Sequence, residues 1–368
     1  MAKVITIASG KGGVGKTSIS LNLSLALAGA GYRVCLFDAD LGLANVNILT
    51  GLYPEHGLAE VMAGTRTLKD IMIRDFNGID IIPGSSGVEK LADLDTREAG
   101  RLISAFLELS AYDYFILDTS AGISSQVLSF CRASHEMILV ATPEPTSLTD
   151  AYSLLKVMSR KKPLPGIRVV INQVSSVAAA KQAYAKLKKT VHKFLSIKIS
   201  PLGILAKDPN VPIAVVSQIP FFILFPETQA ARCIRNIALK LAKEPGKDMP
   251  VEMFWDQCLN LLSTQRQAKK PAPAPAAATV NPGAVPPPVP AGTSKDREAL
   301  ESRLSGIESN IARLLEEMGE IKALLSRPQA PPEPEKASHV EPPAESGDAL
   351  LPIALNFEAW VAEQQVRA

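Results

Sequence analysis

Residues 10–17 form a glycine-rich segment between an apolar strand pattern and a helical pattern. They read Gly10-Lys11-Gly12-Gly13-Val14-Gly15-Lys16-Thr17. This sequence satisfies the pattern G-x-x-x-x-G-K-S/T, in which glycines let backbone N–H groups approach phosphate oxygens closely. The following helix adds the positive end of its dipole, Lys16 supplies a charge for the β and γ phosphates, and the Thr17 hydroxyl is placed to ligate Mg²⁺. We therefore predict that residues 10–18, including Ser18, bind a nucleoside triphosphate with Mg²⁺.

A second lysine, Lys11, lies inside this segment, although phosphate binding within one chain does not require it. It is either a solvated loop charge or a residue that reaches a triphosphate held by a second copy of the chain. In the second role it would supply in trans the positive charge that an arginine finger supplies in other enzymes. That role makes Lys11 catalytic together with Lys16, and it implies an ATP-dependent homodimer.

Three aspartates lie at the ends of two further strand patterns, where α/β sheets present their ligand sites. Asp38 and Asp40 close the second strand pattern, and alternation points both side chains to the same side. We predict that Asp40 orients the water that attacks the γ phosphate and contributes to the Mg²⁺ site, and that Asp38 belongs to the nucleotide-binding residues. Asp118 ends another strand pattern, as a Walker-B aspartate does, and would hold Mg²⁺ through water. For a single strand-end aspartate the alternative is a helix cap.

Asn172 ends a further strand pattern, after the apolar run Val169–Ile171. Its side-chain amide could read the edge of an adenine base, since the amide both donates and accepts hydrogen bonds. An ordinary turn at the end of the strand is the alternative, and the residues alone leave both open.

Alternating strand and helix patterns predict the elements that position these residues. Short apolar runs of strand length occur at Val4–Ala8, Arg33–Asp38, Ile79–Ile82, Tyr114–Asp118, Met137–Ala141 and Ile167–Asn172. Several are apolar throughout, as expected for parallel strands that are covered on both faces. Helical patterns follow them, for example at Thr17–Ala30 and Thr96–Leu109. Repeated strand–helix units predict an α/β fold with a mostly parallel sheet and helices on both faces.

Composition bounds the class of protein and divides the chain near Ser263. Hydrophobic residues make up 46% and charged residues 21%, which is typical of a globular protein. We predict a folded domain at 1–262, Pro-rich linkers at 263–294 and 327–348, and a short apolar segment at 349–368 that docks on a partner or folds back. The start lacks the long apolar stretch of a secretion signal, and the four cysteines have no paired spacing, so we expect a cytoplasmic protein without a disulfide, zinc or iron–sulfur framework.

Residues 295–326 carry a heptad pattern. Apolar residues are separated alternately by four and three positions: Leu300, Leu304, Ile307, Ile311, Leu314, Met318, Ile321 and Leu325. This period of 3.5 predicts a coiled-coil helix, and in a parallel self-pair Arg303 would face Glu308 of the second copy. A lone amphipathic helix that packs on the domain is the alternative.

Two surface features suggest further partners. Twelve bases and no acid lie between Asp150 and Asp208: Lys156, Arg160, Lys161, Lys162, Arg168, Lys181, Lys186, Lys188, Lys189, Lys193, Lys198 and Lys207. This basic stretch, 156–207, is either a solvated face or a contact for DNA phosphates or anionic lipid. Residues 251–262 form an amphipathic helix pattern that either packs on the domain or, as the family resemblance described below implies, contacts the inner face of the membrane reversibly.

Four segments together resemble one known family, the MinD/ParA class of deviant Walker P-loop ATPases. They are GKGGVGKT at 10–17, DADLGLAN at Asp38–Asn45, DTSAGI at Asp118–Ile123 and EPTSLTDAY at Glu144–Tyr152. Within that class, three longer segments are similar to the flagellar-number regulators, the FlhG/FleN proteins: DADLGLANVNILTGL, SFCRA and EPTSLTDAYSLLK. The resemblance covers about residues 2–262.

The resemblance implies a monomer in the empty and ADP states and a sandwich homodimer with ATP, in which Lys11 contacts the nucleotide of the second copy. It also implies slow ATP hydrolysis that needs Asp40, with Mg²⁺ as cofactor. The output would be control of flagellar number and placement through a flagellar transcription activator and a signal-recognition-type flagellar GTPase. A ParA-type partitioning or MinD-type septum-positioning ATPase is the alternative. A bacterial tyrosine kinase is disfavoured because the last tyrosine is Tyr184.

Overall fold

The central element of the protein is one mostly parallel sheet. The computed structural model describes residues 2–40, 45–84, 96–106, 111–160, 163–244 and 250–269. The strands in these ranges are β1 Lys3–Ala8, β2 Val34–Ala39, β3 Ile73–Phe76, β4 Ile79–Ile82, β5 Tyr114–Thr119, β6 Glu136–Ala141, β7 Gly166–Val174 and β8 Ser200–Ala206. Their order across the sheet is β3-β4-β2-β5-β1-β6-β7-β8, and all neighbours are parallel except β3 and β4. The predicted α/β fold is therefore confirmed.

Helices cover both faces of this sheet. They are α1 Lys16–Gly29, α2 Asn45–Thr50, α3 Leu58–Ala63, α4 Leu68–Ile71, α5 Thr96–Phe106, α6 Ser125–Ala133, α7 Pro145–Ser159, α8 Val177–Leu195, α9 Asn210–Val216, α10 Phe221–Leu224, α11 Gln229–Lys243 and α12 Val251–Lys269. One hydrophobic cluster joins α1 and α11 to the sheet. Two others join α7 with α8, and α5 with α12, to the opposite face. Alternate strand residues supply the two faces: Ile5 and Ile7 face α1, whereas Val4 faces α12.

The six predicted strands are all present, with ends within two residues of the prediction, whereas β3 and β8 have no counterpart among them. β8 contains Pro201 and Gly203, which weaken a strand pattern. An edge strand tolerates the proline, and Gly203 is needed because a Cβ there would lie 2.4 Å from the Cγ1 of Ile237. β3 has only four residues, none of them fully buried.

The closing helix α12 packs on the domain with the face that we considered for membrane contact. At most 3% of each side chain on this face is exposed: Val251, Phe254, Trp255, Cys258 and Leu262. The ring centroid of Trp255 lies 4.1 Å from that of Phe106 and 5.8 Å from that of Phe37. Membrane contact through residues 251–262 is therefore not compatible with this conformation, because the apolar surface that a bilayer would take up is already buried. The structure supports the alternative, packing on the domain.

The aromatic contacts of α12 make a clear stability prediction. Trp255→Ala should lower the free energy of unfolding by about 3–5 kcal/mol, since it removes a fully buried aromatic side chain and leaves a cavity. Urea denaturation followed by circular dichroism measures the change. Met253→Ala on the same helix is the matched control, because Met253 is 51% exposed and its loss should change stability by less than about 0.5 kcal/mol. Equal effects of the two changes would contradict the packing described here.

Several predictions fall outside the described residues. They are the linkers at 263–294 and 327–348, the coiled-coil helix at 295–326 and the apolar segment at 349–368; of the first, only the backbone of residues 263–269 is described, as the end of α12. These stay predictions. Within the described residues, none of the helices is both long enough and apolar enough to cross a bilayer.

Candidate nucleotide site

The glycine-rich segment lies between β1, in the middle of the sheet, and the start of α1. Gly13 and Gly15 have φ angles of +75° and +89°, a backbone conformation in which a side chain would be strained. Gly10 needs its missing side chain for another reason: a Cβ there would lie 2.1 Å from the carbonyl oxygen of Asp150 on α7. The loop is thus shaped by its glycines and held between α1 and α7.

The start of α1 is suited to an anion. Its first turn contains no acidic residue, and no side chain caps the backbone N–H groups there. Lys16 is the first residue of this helix and is only 7% exposed. The partial positive charge of the helix end and a buried lysine therefore occur at the same helix terminus, as a phosphate site requires.

Asp118 lies at the end of β5 beside this positive charge. It is fully buried, and its Oδ1 atom accepts a hydrogen bond of 2.8 Å from the Ser20 hydroxyl. Burial raises the pKa of Asp118 to about 6, although Lys16, Thr17 and Ser20 favour the ionised form. Its Oδ2 atom has no hydrogen-bond partner in the described part of the chain. A buried carboxylate oxygen without a partner, close to the Thr17 hydroxyl, fits the oxygen ligand set that Mg²⁺ prefers.

Asp38 lies opposite Asp118 in the register of β2 and β5. Its carboxylate accepts backbone hydrogen bonds from Asp40 (3.1 Å) and from Val46 at the start of α2 (3.2 Å). Burial and the nearby charge of Asp118 raise the pKa of Asp38 to about 8. The sequence did not indicate this role, in which Asp38 links the end of β2 to the start of α2.

Asp40 is partly exposed, and its Oδ2 atom accepts a hydrogen bond of 2.9 Å from the Asn45 amide. Its negative charge contributes to the raised pKa values of both Asp38 and Asp118, so the three carboxylates lie close to one another. The structure thus brings the predicted aspartates together at the carboxyl edge of the sheet. Asn45 is an additional site residue, and its presence within DADLGLAN was the available signal.

Lys11 contacts the start of α7 in its own chain. Its Nζ atom donates to Glu144 Oε2 (2.8 Å) and to Thr146 Oγ1 (3.1 Å), at the start of α7. Both partners of the ion pair are solvent-accessible, with 39% of the Lys11 side chain and 61% of the Glu144 side chain exposed. Exposed pairs of this kind contribute at most about 1 kcal/mol, so the lysine can be released at low cost. Glu144 and Thr146 were not predicted as site residues, although both belong to the EPTSLTDAY segment.

Asn172 also reaches the loop, through a backbone contact. Its Nδ2 atom donates to the carbonyl oxygen of Val14 over 2.8 Å, and its Oδ1 atom accepts from the backbone N–H of Gln173. Its predicted contact with adenine stays a prediction. Ser18 lies on the first turn of α1, where its carbonyl accepts a hydrogen bond from the Asn22 amide.

Comparisons with known proteins agree with this geometry. The protein-family model described as "ParA: NUBPL iron-transfer P-loop NTPase" matches residues 1–242. The chain belongs to the ParA family of P-loop NTPases. As a member of this family it is an ATPase, and ATP and Mg²⁺ are its substrate and its cofactor.

Two curated relatives and one solved structure define its position in the family. Antiactivator FleN of Pseudomonas aeruginosa is 40% identical over 244 residues, which are 66% of this chain and 87% of FleN. The flagellum site-determining protein YlxH of Helicobacter pylori is 35% identical over 206 residues, 55% of this chain and 68% of YlxH. The septum site-determining protein MinD of Pyrococcus horikoshii, complexed with Mg-ADP, superposes with a TM-score of 0.52 and 27% identity, over 66% of this chain and 97% of MinD.

The iron-transfer part of the family description finds no counterpart in the residues that the structure describes. The four cysteines, Cys35, Cys131, Cys233 and Cys258, are all buried. No group of three or more His, Cys, Asp or Glu residues in the described ranges is arranged to hold a metal ion. Within the described ranges, the structure thus offers no group of side chains for an iron cargo.

Proposed function

We propose that this ATPase is a dimerising switch that regulates flagellar number and placement. Support for the flagellar role comes from the FleN and YlxH relatives, whose names describe an antiactivator and a flagellum site-determining protein. An antiactivator acts on an activator, so the proposed partners are a flagellar transcription activator and, from the family resemblance, a signal-recognition-type flagellar GTPase. ATP as substrate suits a cytoplasmic location.

The observation that carries the switch is the position of Lys11. Lys16 and the start of α1 would supply the positive charge for the triphosphate of the same chain, whereas the ammonium group of Lys11 bonds to Glu144 at the start of α7. The Lys11–Glu144 pair is exposed and weak, so a triphosphate on a second copy competes for the lysine effectively. We infer that ATP closes a homodimer by drawing Lys11 across the interface, and that loss of the γ phosphate reopens it.

The remaining site residues have defined tasks in hydrolysis. Thr17, Asp118 and Asp40 would hold Mg²⁺, which neutralises charge that develops on the phosphates. Lys16 holds the phosphates in place, and Asp40 orients the attacking water. Asp38 positions Asp40 because its carboxylate accepts a hydrogen bond from the backbone N–H of Asp40.

Substitution of Lys11 tests the switch directly. Lys11→Ala should leave ATP affinity within about threefold of the wild type, because the phosphate contacts within one chain remain, but it should abolish the ATP-dependent dimer. Light scattering with a non-cleavable ATP analogue measures the mass of each form. Lys69→Ala, a change at an exposed lysine on α4, is the matched control and should dimerise normally. A Lys11→Ala variant that still doubles its mass with the analogue would overturn the proposal.

A second candidate function is a MinD- or ParA-type positioning ATPase that contacts DNA. It is favoured by α8, which carries Lys181, Lys186, Lys188, Lys189 and Lys193 and no acidic residue. Arg168, by contrast, does not belong to this surface, because it is buried and paired with Glu244 and Glu136. Binding of random-sequence duplex DNA that requires ATP and falls steeply between about 50 and 200 mM salt would favour this function. Absence of such binding at low salt would favour the flagellar role alone.

A further inference from the structure

The end of β7 makes two side-chain contacts with consecutive carbonyls of the phosphate loop. Asn172 Nδ2 donates to the Val14 carbonyl over 2.8 Å, and Gln173 Nε2 donates to the Gly13 carbonyl over 3.4 Å. Neither contact uses a nucleotide. The two amides therefore hold the loop in the protein without ligand.

Local backbone geometry brings both amides to the same side. Consecutive side chains of a regular strand point to opposite faces, so Asn172 and Gln173 could not both reach one loop from a regular β7. Here Gln173 has a φ of +57°, and the register between β7 and β8 shifts between Ile171 and Val174. The left-handed backbone conformation of Gln173 turns its own side chain toward the loop. Such a conformation is uncommon for a residue other than glycine.

Gly15 of the phosphate loop approaches the Asn172 side chain closely. A Cβ on Gly15 would lie 2.4 Å from the Nδ2 atom of Asn172, so only glycine at this position allows the amide to approach. Asn172 is 9% exposed, and its Oδ1 atom accepts from the backbone N–H of Gln173 over 2.8 Å. The amide of Asn172 is thus fixed in orientation, with its donor group toward the loop.

The planarity of the peptide bond links these contacts to phosphate binding. In a trans peptide the C=O of one residue and the N–H of the next point in opposite directions. Fixing the carbonyls of Gly13 and Val14 toward β7 therefore fixes the N–H groups of Val14 and Gly15 away from β7. Backbone N–H groups of this loop are the donors that a phosphate needs.

We propose that Asn172 and Gln173 are positioning residues that hold the phosphate loop in its binding conformation. They increase the affinity for the triphosphate group, whichever base the nucleotide carries. This inference rests on the ATP site of the proposed function but not on the dimer or on the flagellar role. This positioning role differs from recognition of the base by Asn172, because a contact with adenine would not change the binding of a ligand without a base.

Binding of two ligands that differ only in the nucleoside separates the two roles. The affinities of Mg-ATP and of Mg-tripolyphosphate are measured by calorimetric titration for the full chain. Asn172→Ala should weaken both by about tenfold, the value of one buried hydrogen bond, and Gln173→Ala should weaken both by a smaller factor because its bond is longer. Weaker ATP binding with unchanged tripolyphosphate binding would overturn the proposal in favour of base reading. Absence of ATP binding by the wild type would instead contradict the proposed function.

Gln218→Ala is the matched control. Gln218 is also a glutamine with a positive φ, +54°, and its Nε2 atom also makes a hydrogen bond, but to the hydroxyl of Tyr53 on the surface. Its loss should change neither affinity. Hydrogen exchange of residues 10–17 in the nucleotide-free protein gives a readout without ligand: Asn172→Ala should accelerate it, and an unchanged rate would contradict the positioning role.

Discussion

Lys16→Ala is expected to abolish measurable ATP binding. The ammonium group of Lys16 lies at the start of α1, is almost fully buried, and favours the ionised form of Asp118. Charged hydrogen bonds to phosphate oxygens contribute about 1.5–3 kcal/mol each, so the loss of two such bonds lowers affinity by at least about 100-fold. Calorimetric titration of Mg-ATP into the purified variant measures the effect.

A matched lysine separates binding from folding. Lys3 is also buried, and its Nζ atom lies 3.7 Å from Glu136 Oε2 at the opposite end of β1. Lys3→Met should lower stability, since it leaves Glu136 without one of its charged neighbours, while ATP affinity is retained. If Lys16→Ala is well folded by circular dichroism and binds ATP with unchanged affinity, the assignment of the phosphate site is wrong.

Asp40→Ala should retain ATP, hydrolyse it at least about 100-fold more slowly, and accumulate as a dimer. Removal of a residue that orients the attacking water typically costs a factor of this size or more, whereas the phosphate contacts of Lys16 and α1 are unaffected. Release of phosphate measures turnover, and light scattering with ATP measures the fraction of dimer.

Asp113→Ala serves as the control for this variant. Asp113 precedes β5 at the other end of the strand and pairs with Arg33 over 3.0 Å, far from the phosphate loop. The Asp113→Ala variant should hydrolyse ATP at the wild-type rate. An Asp40→Ala variant that stays monomeric at saturating ATP would contradict a switch controlled by hydrolysis.

The phosphate loop could be predicted from the sequence because its structure is encoded locally. Positive φ angles at Gly13 and Gly15, and the change from strand to helix at Lys16, follow from residues within eight positions. Strand-end aspartates were predicted for a related reason: parallel strands all end on the same side of a sheet, so Asp38 and Asp118 were expected on that side.

Contacts between distant segments could not be predicted in this way. Lys11 meets Glu144 because β6 is a neighbour of β1, and Asn172 meets Val14 because β7 is the next strand in the sheet. Strand order depends on packing of the whole domain, which a local pattern does not contain. The helix face at 251–262 was undecided for the same reason, since its apolar side chains suit a bilayer and the aromatic cluster of the domain equally well.

The aromatic side chains beneath α12 connect this helix to two strands of the candidate site. Phe37 and Phe115 belong to the strands that carry Asp38 and Asp118. Phe37 contacts Trp255, and Phe115 contacts Phe254. The last described helix, α12, is therefore anchored to the same two strands that carry the carboxylates. A rearrangement of those strands during turnover would be transmitted to α12 through these rings, and also to α5, because Phe106 contacts both Phe37 and Phe115.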